Sequence, residues 1–175
     1  MEQFFPLAMD DVHVKATSVY SSEGYPYFAT DSMKPLIGGW AYNGWEANTT
    51  TNQRFHIALP YPAIIRKIYY ENLHDIGTLT TRGVKNFTFW GSNTPSSFQE
   101  LTYATDTDWT QIGGALQFAE HVASDVADPQ YISVENNTPY LFYACKIADN
   151  YGDGQVMALR RIVLMTGITR WLRTA

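Results

Sequence analysis

Apolar and polar residues alternate with a period of two in several short stretches of the chain, and turn residues separate these stretches. In residues 54–59 the apolar side chains share one face, while Arg54 and His56 share the other. This alternation is typical of a β-strand with one buried and one solvent-facing side. We therefore expect Arg54 and His56 to lie on a polar face.

The same reasoning predicts seven strands and almost no helix. They cover residues 14–20, 54–59, 64–70, 84–90, 131–134, 140–147 and 156–165. Many short strands without helical crossovers favour an all-β fold, an antiparallel β-sandwich or jelly roll. We expect one body at residues 12–166, an N-terminal arm at residues 1–11 and a C-terminal tail at residues 167–175.

The connection between residues 21 and 53 is unusually long. Loops longer than about 15 residues in compact domains are usually functional or disordered. Six aromatic rings argue against disorder here, because disordered tethers are poor in aromatic residues and ordered segments bury them. They belong to Tyr25, Tyr27, Phe28, Trp40, Tyr42 and Trp45.

Composition agrees with a β protein, and charge excludes one class of partner. Aromatic residues make up 15% of the chain and charged residues only 17%. The net charge of −5 offers no electrostatic footprint for a phosphate backbone, so we expect no nucleic acid partner. Residues 99–153 hold nine acids and one lysine, whereas residues 154–175 hold four arginines and no acid. The basic end is expected to dock on a partner or, equally, on the domain's own acidic loops.

Cysteine and hydropathy patterns exclude further classes. Cys145 is the single cysteine, and its strand position predicts a buried thiol rather than a nucleophile or metal ligand. The chain has no signal-peptide pattern and no apolar run of 18 residues, so we expect no membrane insertion and no export by that route.

The sequence contains no recognised catalytic or nucleotide-binding motif. Its four histidines are scattered, and a structural role for His56 is favoured over a catalytic one. Asp106 and Asp108 are interpreted as an acidic loop rather than a catalytic pair. We therefore expect no enzymatic activity.

A series of weak motifs, taken in order, resembles a known family. They lie at residues 16–18, 29–31, 55–59, 65–68, 83–92 and 140–147, with Trp40 after the second. This order is similar to that of the discoidin or coagulation factor 5/8 type C family, the galactose-binding-like jelly roll. The resemblance spans about 150 residues.

The resemblance implies a ligand site built from loops at one end of the sandwich. Aromatic rings stack on sugars while polar neighbours bind the hydroxyl groups. The matching ligand-binding candidates are Tyr25, Tyr27, Tyr42, Trp45, His74, Asp75, Arg82, Asn150 and Tyr151. Trp40 corresponds to a largely structural tryptophan of the family. Tyr42, Trp45 and Tyr151 are expected to be exposed.

The resemblance also bears on metal binding. Many carbohydrate-binding members hold a structural calcium ion between an aspartate of the first loop, here Asp31, and a glutamate of the closing strand. In this chain Arg160 and Arg161 stand where that acid would be. We expect no cofactor, and a calcium ion at Asp31 is the less favoured alternative.

These features predict a non-enzymatic adhesion module that recognises a glycan or another surface ligand. The arms and the absence of an export signal suggest a virion component, such as a phage tail, baseplate or capsid accessory protein, on a virion or extracellular surface. One alternative is a decoration protein that assembles with virion proteins or copies of itself. Its tail residues Arg170, Trp171 and Arg173 would then make the assembly contacts. Alternatively, Trp171 covers the open end of the β-sandwich in its own chain. Another is a carbohydrate-binding module of a secreted hydrolase.

Overall fold

Ten β-strands build the protein, as described for residues 1–167 by a computed structural model. They are β1 (Phe4–Phe5), β2 (Val14–Ala16), β3 (Trp45–Ala47), β4 (Gln53–Ala63), β5 (Lys67–Asn72), β6 (Asn86–Ser92), β7 (Thr110–Gln117), β8 (Gln130–Ser133), β9 (Tyr140–Ile147) and β10 (Met157–Met165). One short helix, α1 (Pro95–Gln99), and two 3₁₀ turns, Pro26–Thr30 and Thr80–Arg82, complete the elements. None of the helices within residues 1–167 is long and apolar enough to cross a membrane.

The strands form two antiparallel sheets. Sheet A has the order β1-β10-β5-β8, with β3 also paired to β10, and sheet B has the order β2-β4-β9-β6-β7. In sheet A, β10 pairs with β3 through its first residues and with β1 through its last. The predicted antiparallel β-sandwich is therefore confirmed.

The main core fills the space between the sheets. Alternation in β6 sends Phe87 and Phe89 inward, and the ring of Phe89 stacks on Tyr143 of β9 at 5.3 Å. Cys145 is buried in the same layer, as predicted, and burial raises the pKa of its thiol to about 12. Each buried aromatic or aliphatic side chain of this kind contributes about 1.5–3 kcal/mol of transfer free energy.

A second, smaller core lies on the outer face of sheet B. Residues 93–109, which include α1, cover this face, and Phe98 and Trp109 pack there against β4 and β9. His56 is fully buried beneath them, with its ring 4.9 Å from that of Trp109. Arg54 is also fully buried and donates hydrogen bonds to the carbonyls of Thr102 and Thr105.

The expectation of a polar face for Arg54 and His56 is therefore wrong as far as exposure goes. The alternation was identified correctly, but a loop distant in sequence covers this side of the sheet. Asp106 belongs to the same loop and pairs with Arg54 and with Lys146, which agrees with its interpretation as a structural acid.

Strands β1, β3 and β7 are absent from the sequence expectations. Two of them have only two or three residues, which is too short for an alternating pattern. The third, β7, carries Gly113 with a positive φ of 66° and bulges against β6. Part of the predicted N-terminal arm is integrated into sheet A, because Phe5 pairs with Leu164 and is 1% exposed.

Candidate functional site

One end of the sandwich, formed by connecting loops and the short strand β3, carries all nine predicted ligand residues. We call this region the loop end; it comprises residues 18–48, 73–85 and 148–156. The predicted residues fall into three groups there. They surround Arg82, Tyr42 and His74, respectively.

The first group is the arginine cluster, formed by Arg82, Glu46 and Asp153. The Arg82 guanidinium donates to Glu46 Oε1 at 2.8 Å, and its Nε lies 3.5 Å from Asp153 Oδ2. The Arg82 side chain is 16% exposed, whereas that of Glu46 is fully buried. Two carboxylates therefore fix the orientation of one partly exposed guanidinium, a donor group suited to hydroxyl or carbonyl oxygens.

Glu46 is electrostatically unusual. Burial raises its pKa to about 7, although the charge of Arg82 opposes this shift. Its second oxygen, Oε2, has no hydrogen-bond partner among the described residues. Burial of a carboxylate is unfavourable unless its oxygens are paired, so Glu46 exchanges a proton near neutral pH while it remains hydrogen-bonded to Arg82.

Asn150 and Tyr151 support the arginine cluster. The buried amide of Asn150 donates to the carbonyls of Asp153 and Val156, which closes the turn that carries Asp153. Tyr151 is half-buried, donates its hydroxyl hydrogen to the Phe118 carbonyl, and has Lys85 over its ring. The structure thus places Asn150 as a scaffold residue and Tyr151 as a half-buried ring, rather than the exposed ring that was expected.

The second group is the tyrosine cluster of Tyr25, Tyr27, Phe28 and Tyr42. The rings of Tyr25 and Tyr27 stack at 5.5 Å with an interplanar angle of 12°. Tyr42 is 50% exposed and Tyr25 is 39% exposed, whereas Tyr27 is half-buried. Tyr42 has a positive φ of 63°, and a hydrogen bond from its amide to the Glu23 carbonyl holds it there. The exposed rings offer flat apolar faces of the kind that stack on sugars.

Trp45 does not join these exposed rings. It is 0% exposed, packs on Phe55 at 5.2 Å, and donates its indole hydrogen to the Ser18 carbonyl at 3.0 Å. The expectation that its ring is exposed is wrong. Trp40, expected to be the structural tryptophan, is half-buried, and Trp45 fills the core position instead.

The third group surrounds His74, whose own side chain is inaccessible, whereas Asp75 is half-buried. His74 is 0% exposed, stacks on His121 at 4.1 Å and hydrogen bonds to the Leu36 carbonyl. Burial lowers its pKa, which favours the neutral imidazole. Asp75 accepts the Trp40 amide hydrogen at 3.3 Å. Both residues thus position loops, which corrects the expectation that His74 faces a ligand.

Residues 20–24 join the arginine and tyrosine clusters. The Glu23 carbonyl accepts from Tyr42, and the Gly24 carbonyl accepts from the Glu46 amide at 3.1 Å. A Cβ atom on Gly24 would lie 2.9 Å from Glu46 Cβ, so only glycine allows this approach. The same short segment therefore holds the exposed aromatic rings and the partner of the fixed guanidinium.

Glu46, Asp153 and Glu23 are site residues that the sequence analysis missed. Glu46 follows Trp45 in a strand of three residues that are all buried, so alternation carries no information about its direction. Asp153 belongs to a segment, residues 149–153, that the resemblance places beside the ligand end, but it is not among the predicted ligand residues. Contacts between distant loops bring them together, and no local pattern encodes these contacts.

A groove elsewhere carries none of the predicted residues. It has a volume of about 460 Å³, lies on the outer face of sheet A, and is lined mainly by apolar side chains, with Tyr69 and Tyr131 side by side at 5.4 Å. Tyr131 is 59% exposed and provides a comparison for the loop-end tyrosines.

Two predicted sites remain. Asp31 accepts the Met33 amide hydrogen at 2.9 Å, and within residues 1–167 no group of three or more His, Cys, Asp or Glu side chains is placed to hold a metal ion. The predicted assembly residues Arg170, Trp171 and Arg173 lie outside the described residues.

Comparison with solved structures identifies the fold. An F5/8 type C domain from Bacteroides fragilis superposes with a TM-score of 0.62 at 13% identity, covering 91% of this chain and 95% of that domain. Chitosan-binding module 1 of a chitosanase/glucanase from Paenibacillus sp. IK-5 gives a TM-score of 0.57 at 12% identity, with coverages of 88% and 93%. A CBM32 module from Clostridium perfringens, in complex with GalNAc-β-1,3-galactose, gives 0.57 at 14% identity, with coverages of 86% and 92%.

The chain therefore has the galactose-binding-like β-sandwich fold that its motifs indicated. No protein-family model matches the sequence, and no curated protein matches it either. At these identities the likeness establishes the fold and leaves the function to be argued from the loop end.

Proposed function

We propose that this protein is a non-catalytic glycan-binding module whose loop end holds its ligand. One observation carries the proposal: residues 20–24 hydrogen bond both to exposed Tyr42 and to Glu46, the partner of Arg82, so a fixed guanidinium and an exposed ring lie at the same end of the sandwich. An aromatic face for the sugar ring and an oriented donor for its oxygens form the usual pair of contacts in a sugar site.

The similar structures support this proposal through what they bind. One is a chitosan-binding module, and another was solved with a galactose-containing disaccharide. The sugar class of the ligand is inferred from charge. Carboxylates, among them Glu23, Asp149 and Asp153, outnumber cations at this end, and Arg82 is already paired. A neutral or amino sugar fits this surface better than a polyuronate does.

The biological setting stays a prediction. Two settings, a virion component and a module of a hydrolase, can be distinguished by simple observations. A virion component would be found in purified particles. A module of a hydrolase would occur in one chain with a catalytic domain, as the chitosanase/glucanase module supports. The similar structures favour the hydrolase module. The virion setting rests only on the predicted arms and the absence of an export-signal pattern.

A glycan array tests the proposed function. The wild type is expected to bind a restricted set of neutral or amino glycans, and Tyr42→Ala is expected to weaken that binding about five- to tenfold, since a stacked ring contributes about 1–1.5 kcal/mol. Tyr131→Ala is the matched control, an equally exposed tyrosine on the outer face of sheet A. If only Tyr131→Ala lost glycan binding, the ligand would bind in the sheet A groove instead. An array without any signal from the wild type would contradict the proposal.

A further inference from the structure

Arg160 is a buried arginine whose hydrogen-bond partners, within the described residues, are all backbone carbonyls. Its Nη1 donates to Pro35 and Ile37 at 3.3 and 3.2 Å, and its Nη2 donates to Gly38 and His74 at 2.8 and 2.6 Å. The residue is 0% exposed. The neighbouring Arg161 donates to the Lys34 carbonyl at 2.7 Å.

Converging carbonyl oxygens are the surroundings of a hard cation in a protein. A guanidinium placed among them receives the same electrostatic stabilisation and, through its fork of donors, a fixed geometry. Burial lowers the pKa of Arg160, while the carboxylates of Asp125 and Asp75 oppose this shift. Asp125 also accepts the Gly38 amide hydrogen, so the same segment contacts both the cation and its counter-charge.

The calcium ion that the family resemblance implies does not fit these residues. Asp31 uses one oxygen to accept the Met33 amide hydrogen, and the closing strand β10 carries Arg160 and Arg161 where the resemblance implies an acid. A divalent ion at the carbonyls of residues 34–38 would meet two guanidinium groups that already bind those oxygens. Like charges at such short range are strongly unfavourable.

We propose that the Arg160 guanidinium acts as a built-in structural cation, which organises the carbonyls of Pro35, Ile37, Gly38 and His74 in the place of a metal ion. The loop end then keeps its shape without calcium. Only the consequence for ligand binding rests on the proposed glycan-binding function; the structural role of Arg160 does not.

The position of Arg160 connects it to the proposed site. Gly38, whose carbonyl it binds, leads directly into residues 39–43, the turn that ends with Tyr42 and Asn43. Gly44, which follows the turn, packs against the backbone of Arg160. A Cβ atom added to Gly44 would lie only 2.9 Å from Arg160 Cα. Arg160 is thus a positioning residue for the turn that carries the exposed ring.

Thermal unfolding with and without calcium tests the proposal in the absence of any glycan. The melting temperature of the wild type is expected to be the same in chelator and in millimolar calcium. Arg160→Met should lower it by roughly 10 °C, because the carbonyls lose their cation, and calcium should not restore it. Arg160→Lys should retain part of the stability, since it keeps the charge but loses the fork.

Arg160→Glu gives the sharpest result. It places a carboxylate among the carbonyls and so supplies an oxygen set that calcium takes. Its melting temperature should be low in chelator and rise by about 3 °C or more with calcium, but not with potassium. The control is Arg66→Met, which removes a partly exposed arginine that binds the Asn136 carbonyl and should give no calcium response.

Either of two results would overturn the proposal. In the first, a chelator lowers the melting temperature of the wild type. In the second, calcium does not change the melting temperature of Arg160→Glu. If Arg160→Glu does not fold, equal stability of Arg160→Met and the wild type is the contradicting result. A wild type that passes these tests and binds no glycan would refute the proposed function and leave the role of Arg160 intact.

Discussion

At the loop end, the Glu46 side chain forms an ion pair although it is fully buried. Its carboxylate orients Arg82, yet its burial raises its pKa to about 7 and leaves Oε2 without a partner. A carboxyl whose folded-state pKa is raised binds a proton in the native protein before it does so in the unfolded chain. This contribution to native-state stability is therefore fully present below about pH 4.5 and is lost as the pH rises from there to about pH 7.

Glu46→Gln is expected to stabilise the protein at alkaline pH. The amide oxygen still accepts from Arg82, but no charge is buried, so the free energy of unfolding at about pH 8 should rise by about 1 kcal/mol. The decline in wild-type stability between about pH 5 and pH 8 should become shallower in the variant. Urea unfolding at several pH values measures both, and a variant that is less stable at every pH would contradict this account.

Gly24 is expected to be essential for the approach of residues 20–24 to β3. Gly24→Ala brings a methyl group within 2.9 Å of Glu46 Cβ and 3.0 Å of its amide nitrogen, and backbone atoms cannot move aside cheaply. A loss of about 1–3 kcal/mol is predicted. Gly154→Ala, with no atom within 4 Å of its added Cβ, is the control and should be neutral or mildly stabilising. Equal stability of the two variants would count against the predicted contact.

At the scale of elements, residues 93–109 change the character of sheet B. They convert an outer sheet face into a second core and bury His56, whose pKa falls to about 4 because of that burial. The Nδ1–H of His56 donates to the Phe98 carbonyl, which ties the ring to α1. A histidine with a lowered folded-state pKa takes up its proton in the unfolded chain first, so stability falls as the pH drops from about 6.5 toward 4.

His56→Gln should remove this part of the acid sensitivity. Glutamine can still donate to Phe98 but does not titrate. Between about pH 7 and pH 4.5 the wild type should lose about 2 kcal/mol more of its free energy of unfolding than the variant does. Denaturant titrations at the two pH values provide the comparison; parallel losses would mean that His56 is not buried in its neutral form.

Long strands were predictable from the sequence because period-two alternation is local. Strand β9 (Tyr140–Ile147) has the bounds that the pattern predicts, and β4, β6 and β10 differ from theirs only at the ends. What alternation could not reveal was which sheet face a distant loop covers. Arg54 and His56 were assigned to the right side of β4, but residues 93–109 decided that this side is buried.

The same limit applies to the candidate site. The resemblance brought Arg82, Tyr42 and Asn150 to one end of the sandwich, and the structure places them there. It could not say that Trp45 rather than Trp40 fills the core, or that Glu46 lies beneath Arg82. Those facts depend on three-dimensional contacts such as Trp45 with Phe55. The resemblance predicted which residues lie at one end of the sandwich better than which of their side chains are accessible.

At the scale of the whole molecule, the net charge of −5 conceals an uneven distribution that bears on the ligand. Carboxylates at the loop end should repel a polyanionic glycan and have little effect on a neutral one. Binding of a neutral oligosaccharide is therefore expected to change less than about threefold with added salt, whereas an amino-sugar polymer should weaken measurably. Affinity electrophoresis or calorimetry at two salt concentrations measures this, and preferential binding of a polyuronate would contradict the expectation.

The most direct test of the central claim is a map of amide chemical shifts during titration with the strongest ligand from the array. Binding at the loop end predicts that the largest shifts fall in residues 39–46, 80–83 and 150–153, which carry Tyr42, Arg82 and Asp153. Shifts confined to β5 and β8, next to Tyr69 and Tyr131, would place the ligand in the sheet A groove and contradict the account.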